Sequence, residues 1–242
     1  MMEKKYTFDD FIDIVATLRA PDGCPWDQEQ THHSLKPCMM EEAAEVLAAI
    51  RILDTTGEPD NLREELGDVL LQVVMHSQIA REEGHFTLED VIDEVSTKMI
   101  RRHPHVFGEQ EVSSADHVLR NWDEIKKKEK EGKSIQESPL REIPKEFPAL
   151  TRSVKLLKKI DTLYQKQHTA TEAVAELEKN VLLLKEETKK EQTDKEQTQI
   201  IMTQMLVEIA NIARENKIPL EQLLVDHMET LIEEFEPLTI VE

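Results

Sequence analysis

Glycine is scarce in this 242-residue chain, at 6, and aromatic residues make up 4%. There are two cysteines, Cys24 and Cys38, too few for a disulfide framework, and they fit a reducing compartment better than a Cys24–Cys38 bridge. No apolar run approaches the roughly 20 residues that span a bilayer, and the opening MMEKKYTFDD has no signal-like apolar segment. A soluble, cytoplasmic protein with no membrane partner is the expectation. Basic residues are also short, 30 Lys and Arg against 50 Asp and Glu, a net charge of −20. That field repels anionic lipid and nucleic-acid polymers, so an anionic substrate would need a local basic patch and a metal.

What the chain has instead is helical periodicity. Long 3.6-residue patterns dominate, and with so little glycine the expected class is all-α. Thr7 reads as the N-cap of a helix from about Phe8 to Arg19, with Asp9 and Asp10 in its first turn. Phe8, Phe11, Ile12, Val15 and Leu18 form its apolar stripe. A loop, APDGCPWD, follows, and its Trp26 is expected to pack on a neighbouring helix. Residues 28–35 read as a short helical turn, with His32 and His33 at the surface or capping. Thr87 opens another helix, with Asp90 three residues on, that ends in Lys98, Arg101 and Arg102 before Pro104.

The stretch from Met40 to Gln72 organises the rest. Two helical segments flank TTGEPDN, where Gly, Pro, Asp and Asn break the pattern. On the first, Glu42 and Glu45 stand three apart on one face, with Glu41 four before Glu45; on the second, Glu65 and Asp68 repeat the spacing. Folded antiparallel, the pairs face each other, and carboxylates so placed repel unless a hard cation such as Mg2+ lies among them. A chain this acidic also makes solvated carboxylate pairs readily. Two details favour the metal site. Apolar residues Met39 to Ile50 set Glu42 and Glu45 beside a core-forming stripe, and Gly67 inside a helix suggests that another helix or a ligand approaches closely.

CPWDQEQTHHSL, EEAAE, EELGD, KMIRRH with HVFG, and WDEIK follow in that order. Together they resemble the MazG family of nucleoside triphosphate pyrophosphohydrolases over about the first 130 residues. The resemblance implies Mg2+, with Mn2+ as a substitute, on Glu42, Glu45, Glu65 and Asp68, and Glu41 beside them as support or base. It also implies that Lys98, Arg102, Trp122 and Lys126 hold the nucleotide's phosphates and base, with Arg101 alongside. Cys38 departs from the family, where an aromatic is common. Catalytic roles fall on Glu41 and Glu42, and the reaction is attack of water on the α-phosphorus, releasing pyrophosphate and a nucleoside monophosphate. Two carboxylate helices are too few to enclose a nucleotide, so a homodimer should complete the core.

The expected organisation is a catalytic module over 1–132, a linker over 133–146 and a second helical module over 147–242. That second module looks like a worn copy of the first. IARE at 79–82 recurs at 212–215, and TLEDVI at 87–92 recurs as PLEQLL at 219–224. Lys98 then falls on Thr230, and Arg101 and Arg102 on Glu233 and Glu234. Glu65 and Asp68 fall on Thr198 and Ile201, or on Ile201 and Gln204 with a short gap; no register restores four carboxylates. Glu186, Glu187 and Glu191 are expected on a solvated face. Three alternatives remain: a di-iron bundle through Glu29-x-x-His32 and Glu82-x-x-His85, a phosphoribosyl-nucleotide pyrophosphohydrolase, and a non-catalytic helical scaffold.

Overall fold

The computed structural model describes residues 5–130, 138–190 and 193–236. Its regular elements there are all helical, as the composition requires. The chain divides into two compact units, Met1–Gly132 and Lys133–Glu242. The first contains Phe8–Arg19 (α1), Pro25–Glu29 (α2), Lys36–Thr56 (α3), Asp60–Glu82 (α4), Leu88–Arg102 (α5), Pro104–Phe107 (α6) and Ala115–Lys130 (α7). The second contains a 3-10 turn at Pro139–Glu142, then Ala149–Tyr164 (α8), Ala170–Thr188 (α9), Lys195–Glu215 (α10) and Leu220–Phe235 (α11). Of the expected linker, 133–137 lies outside the described residues.

Three helices start by the same chemistry. Thr7, Thr87 and Thr169 each accept from the backbone N–H three residues on, while Asp10, Asp90 and Glu172 accept in return from the threonine's backbone N–H. Each such cap is worth about 1 kcal/mol. In the first unit α3 and α4 form a hairpin across Gly57, which takes φ +77 at the end of α3. Helices α1 and α5 lie against α4, and α7 against α5. The core is Val15, Leu35, Val74, Met75, Ile79 and Leu88, edged by Phe11, Ile12 and Cys38.

An arginine locks each unit's first helix to its central one. Arg19, at the end of α1, donates from Nε and Nη2 to Glu82 on α4 and from Nη1 to the carbonyls of Asp27 and Gln30. In the second unit Arg214 on α10 bonds Asp161 on α8 and the His168 carbonyl. The guanidinium comes from opposite partners but does one task, satisfying carbonyls of the connector after the first helix.

The ends of α4 and α10 match bond for bond. The His85 N–H reaches the Ala80 carbonyl at 2.9 Å, and the Ile218 N–H reaches Ala213 at 2.8 Å. Gly84 and Lys217, one residue earlier, are both left-handed, at φ +74 and +58. This closure sets Ala80 on Ala213, the register that the two IARE segments indicate. It leaves Lys217 in a conformation that costs a side-chain-bearing residue about 1 kcal/mol.

Four local expectations are corrected. The short helix lies at Pro25–Glu29 and not over 28–35: proline suits its first position, and Gln30 caps its end in extended backbone. Trp26 does not pack; it is 60% exposed. The apolar residues of α3 form no core stripe within the chain: only Ala49 is buried, and Leu47 is 60% exposed. Gly67 has no close neighbour, since a Cβ there meets nothing within 4 Å. Gly67→Ala should therefore stabilise the first unit by about 1 kcal/mol in urea denaturation. An unchanged or lowered midpoint would mean that another surface presses on this point.

Candidate metal and nucleotide site

The hairpin places the acidic pairs face to face. Glu42 and Glu45 on α3 and Glu65 on α4 each bring a carboxylate oxygen into a group whose members lie within 4.8 Å of one another. Among the described residues this is the one group of three or more His, Cys, Asp or Glu ligands that close. Asp68, one turn beyond Glu65, acts on it electrostatically. Desolvation holds the Glu42 carboxyl above the usual glutamate range, followed by the charges of Asp68 and Glu45. Glu65 is raised in the same way, by desolvation and then by Glu45 and Asp68. Glu41 is exposed and outside the cluster.

The donor set is carboxylate oxygen throughout, with no nitrogen or sulfur, which fits a hard divalent cation and not a softer metal. The di-iron alternative finds no such convergence. Glu82 is taken by Arg19, while His32 stacks on His76 with Nδ1 atoms 2.8 Å apart. His32 and His85 approach Glu83 instead, at 3.6 and 3.3 Å.

A second group forms at the junction of α5 and α7. Arg102 donates from Nε and Nη2 to the two oxygens of Glu129, and Arg101 reaches the same carboxylate at 2.7 Å. Both guanidinium groups hold the Glu129 carboxyl down at about 2. Trp122 lies under the Arg102 guanidinium, 5.6 Å from its ring centre, and meets His103 edge-on at 4.7 Å. Lys126 pairs with Asp123 at 3.0 Å, and half-buried Lys98 has no ion pair among the described residues. So Arg101, Arg102 and Trp122 come together, and Lys126 faces along its own helix. Sequence reasoning missed Glu129, although its place seven residues after Trp122 sets both on one face of α7. It also missed His76, whose partner His32 is distant in sequence.

In the second unit, Ile201 stands on Asp68 in the register of the matching helix ends and is 1% exposed, and Thr198 stands on Glu65. Glu187 is not on a solvated face: it is buried, accepting from Lys190 and from the Asp194 backbone N–H. Glu191 lies outside the described residues.

Residues 30–107 match the family described as the MazG nucleotide pyrophosphohydrolase domain. The chain is 48% identical over 151 residues to the nucleoside triphosphate pyrophosphohydrolase/pyrophosphatase MazG of Thermotoga maritima, covering 62% of this chain and 55% of that one. It is 44% identical over 152 residues to the nucleoside triphosphate pyrophosphohydrolase of Escherichia coli K12, covering 62% and 56%. An uncharacterized Bacillus subtilis protein, YabN, is 50% identical over 153 residues, 63% of this chain and 30% of its own length. The chain thus spans about half the length of the two named enzymes, and less of YabN. The acidic hairpin lies inside the matched segment, so the part of the first unit that is similar to the MazG nucleotide pyrophosphohydrolase domain is the part that brings the carboxylates together.

Proposed function

We propose that the first unit hydrolyses nucleoside triphosphates to a nucleoside monophosphate and pyrophosphate with a divalent cation, Mg2+ by preference and Mn2+ as a substitute. The observation that carries this reading is the convergence of Glu42, Glu45 and Glu65, with Asp68 beside them, across one helix hairpin. These four would hold the ion, which when bound neutralises triphosphate charge and acidifies a coordinated water. Glu41, exposed at the rim, is assigned as the base that takes the attacking water's proton.

Lys98, Arg101, Arg102 and Lys126 are assigned to the phosphates, where fixed positive charge favours a transition state in which negative charge shifts between oxygens. Glu129 tempers that charge: two guanidinium groups and one carboxylate leave a single net positive charge. It also orients Arg102 over Trp122, to which base stacking is assigned. The reaction is placed in a reducing cytoplasm, in keeping with two free thiols and with no described helix long and apolar enough to cross a membrane.

The second unit is read as a MazG-like module that cannot hold the ion, because an apolar side chain is buried at Asp68's counterpart. A homodimer is proposed from the apolar faces left open on both carboxylate helices, where Leu47 and Leu66 are 60% and 52% exposed. Sedimentation should give twice the 28.0 kDa chain mass, and Leu47→Glu with Leu66→Glu should give one; a wild-type monomer at micromolar concentration rejects the dimer.

Removing a ligand tests the chemistry. Glu42→Gln or Asp68→Asn in the full chain should lower pyrophosphate release at least ~100-fold, about 3 kcal/mol in the barrier, with helical content kept. Undiminished release by either variant counts against the assignment.

The raised carboxyls set the sign of a pH effect. A glutamate protonated more readily folded than unfolded contributes stability below its ordinary value of 4.5, and loses it as pH rises through the raised value. Metal-free Tm of the wild type should therefore fall relative to Glu65→Gln as pH rises from about 4.5 toward neutrality. Mg2+ at pH 7 should restore the wild type and leave Glu65→Gln unmoved. Equal Tm curves for the two proteins, with and without Mg2+, would dispose of the cluster.

A further inference from the structure

Gln72 is a buried polar residue of α4 that the reading above leaves without a task. It is 7% exposed, and its amide oxygen Oε1 is buried with no hydrogen-bond partner among the described residues. A buried acceptor left unpaired costs about 1–3 kcal/mol, and native folds rarely keep one without use. Its position gives the use. Gln72 follows Asp68 by four residues and Glu65 by seven, the spacing that stacks side chains on one helix face, and its Cα lies about 6 Å further along the axis than that of Asp68. The spacing therefore puts Gln72 on the helix face that carries Glu65 and Asp68, one turn further along α4 and more deeply buried than they are.

The second unit supplies an internal control. In the register that sets Ala80 on Ala213, Glu65 and Asp68 fall on Thr198 and Ile201, and Gln72 falls on Met205. Where the carboxylates are absent, the amide is replaced by a thioether of nearly the same length, and the orphaned acceptor goes with it. The same helix position thus tolerates an apolar side chain of that size when no ion has to be served. Three neighbouring positions change together: two carboxylates and an amide give way to a hydroxyl, an alkyl group and a thioether.

We infer that Gln72 is a positioning residue of the metal site, its amide oxygen accepting a hydrogen bond from a water in the hydration shell of a divalent ion held by Glu42, Glu45, Glu65 and Asp68. Mg2+ and Mn2+ bound by carboxylates keep several waters, and polarised water is a strong donor that needs acceptors at fixed places. An amide suits this place better than a carboxylate. It accepts the bond without adding charge to a cluster in which Glu42 and Glu65 are already driven toward protonation. The inference rests on the metal reading and adds to it a group that does not touch the ion.

The test compares wild type with Gln72→Met, which writes the second unit's residue into the first, with Gln72→Leu as the reserve should the methionine variant fold poorly. Mn2+ is titrated by electron paramagnetic resonance without nucleotide, and metal-free Tm is measured alongside. Expected is about 10-fold weaker Mn2+ affinity, with metal-free Tm equal to or above the wild type's because the unpaired acceptor is gone. Mn2+ affinity equal to wild type overturns the inference while leaving the metal site standing. A fall in affinity together with a fall in metal-free Tm assigns Gln72 to packing and overturns it as well. No Mn2+ binding by the wild type overturns the metal reading, and this inference with it.

Discussion

Like charge held at close range is the constraint on which the first unit's central hairpin depends. Glu42, Glu45 and Glu65 crowd their carboxylates within 4.8 Å, and Asp68 adds its charge to them. In isolation this arrangement opposes folding: the carboxyls are pushed toward their neutral forms, and the hairpin carrying them is weaker for it. The surrounding structure outweighs that penalty with ordinary means. Val15, Leu35, Val74, Met75, Ile79 and Leu88 bury one side of α4, and Arg19 ties α1 to its far end. The acids are thereby kept close enough together that they could hold a metal ion.

The basic side is organised differently. Arg101 and Arg102 do not stand open as free cations; Glu129 engages both, and Trp122 packs under one of them. In a chain of net charge −20 this is a way of keeping guanidinium groups oriented without gathering a large local positive field. Orientation in advance would serve the phosphate role proposed for them, because an ordered donor loses less entropy on meeting a ligand.

The two units show what is shared when a helical pattern is kept and its chemistry is not. The end of the central helix closes with the same pair of backbone bonds in both, and an arginine holds the first connector in both. Those features depend on backbone geometry and survive wide substitution. The carboxylates do not recur: Ile201 is buried at Asp68's counterpart, and apolar packing takes over the face that the ion would need.

Much of the fold was legible in local signals. The caps at Thr7 and Thr87, the breaks at Gly57 and Gly84 and the carboxylate spacings are written within a few residues of where they act, so a one-dimensional reading finds them. The cap at Thr169 follows the same rule and was readable by it. The candidate site was legible in part, through the resemblance and the i, i+3 pairs. Contacts between distant residues stayed hidden: Arg19 with Glu82, His32 with His76, and Glu129 with two arginines 27 and 28 positions earlier. The inferences from Gly67 and from the apolar run of α3 failed for the same reason, since helical periodicity says which residues share a face and not what covers it. Chain-local chemistry by itself determined the helices, their ends and the repeated pattern. Only the tertiary structure decided which carboxylates meet, which cations are already paired, and that one buried amide oxygen is left without a partner, because burial and charge neighbourhood are properties of packing.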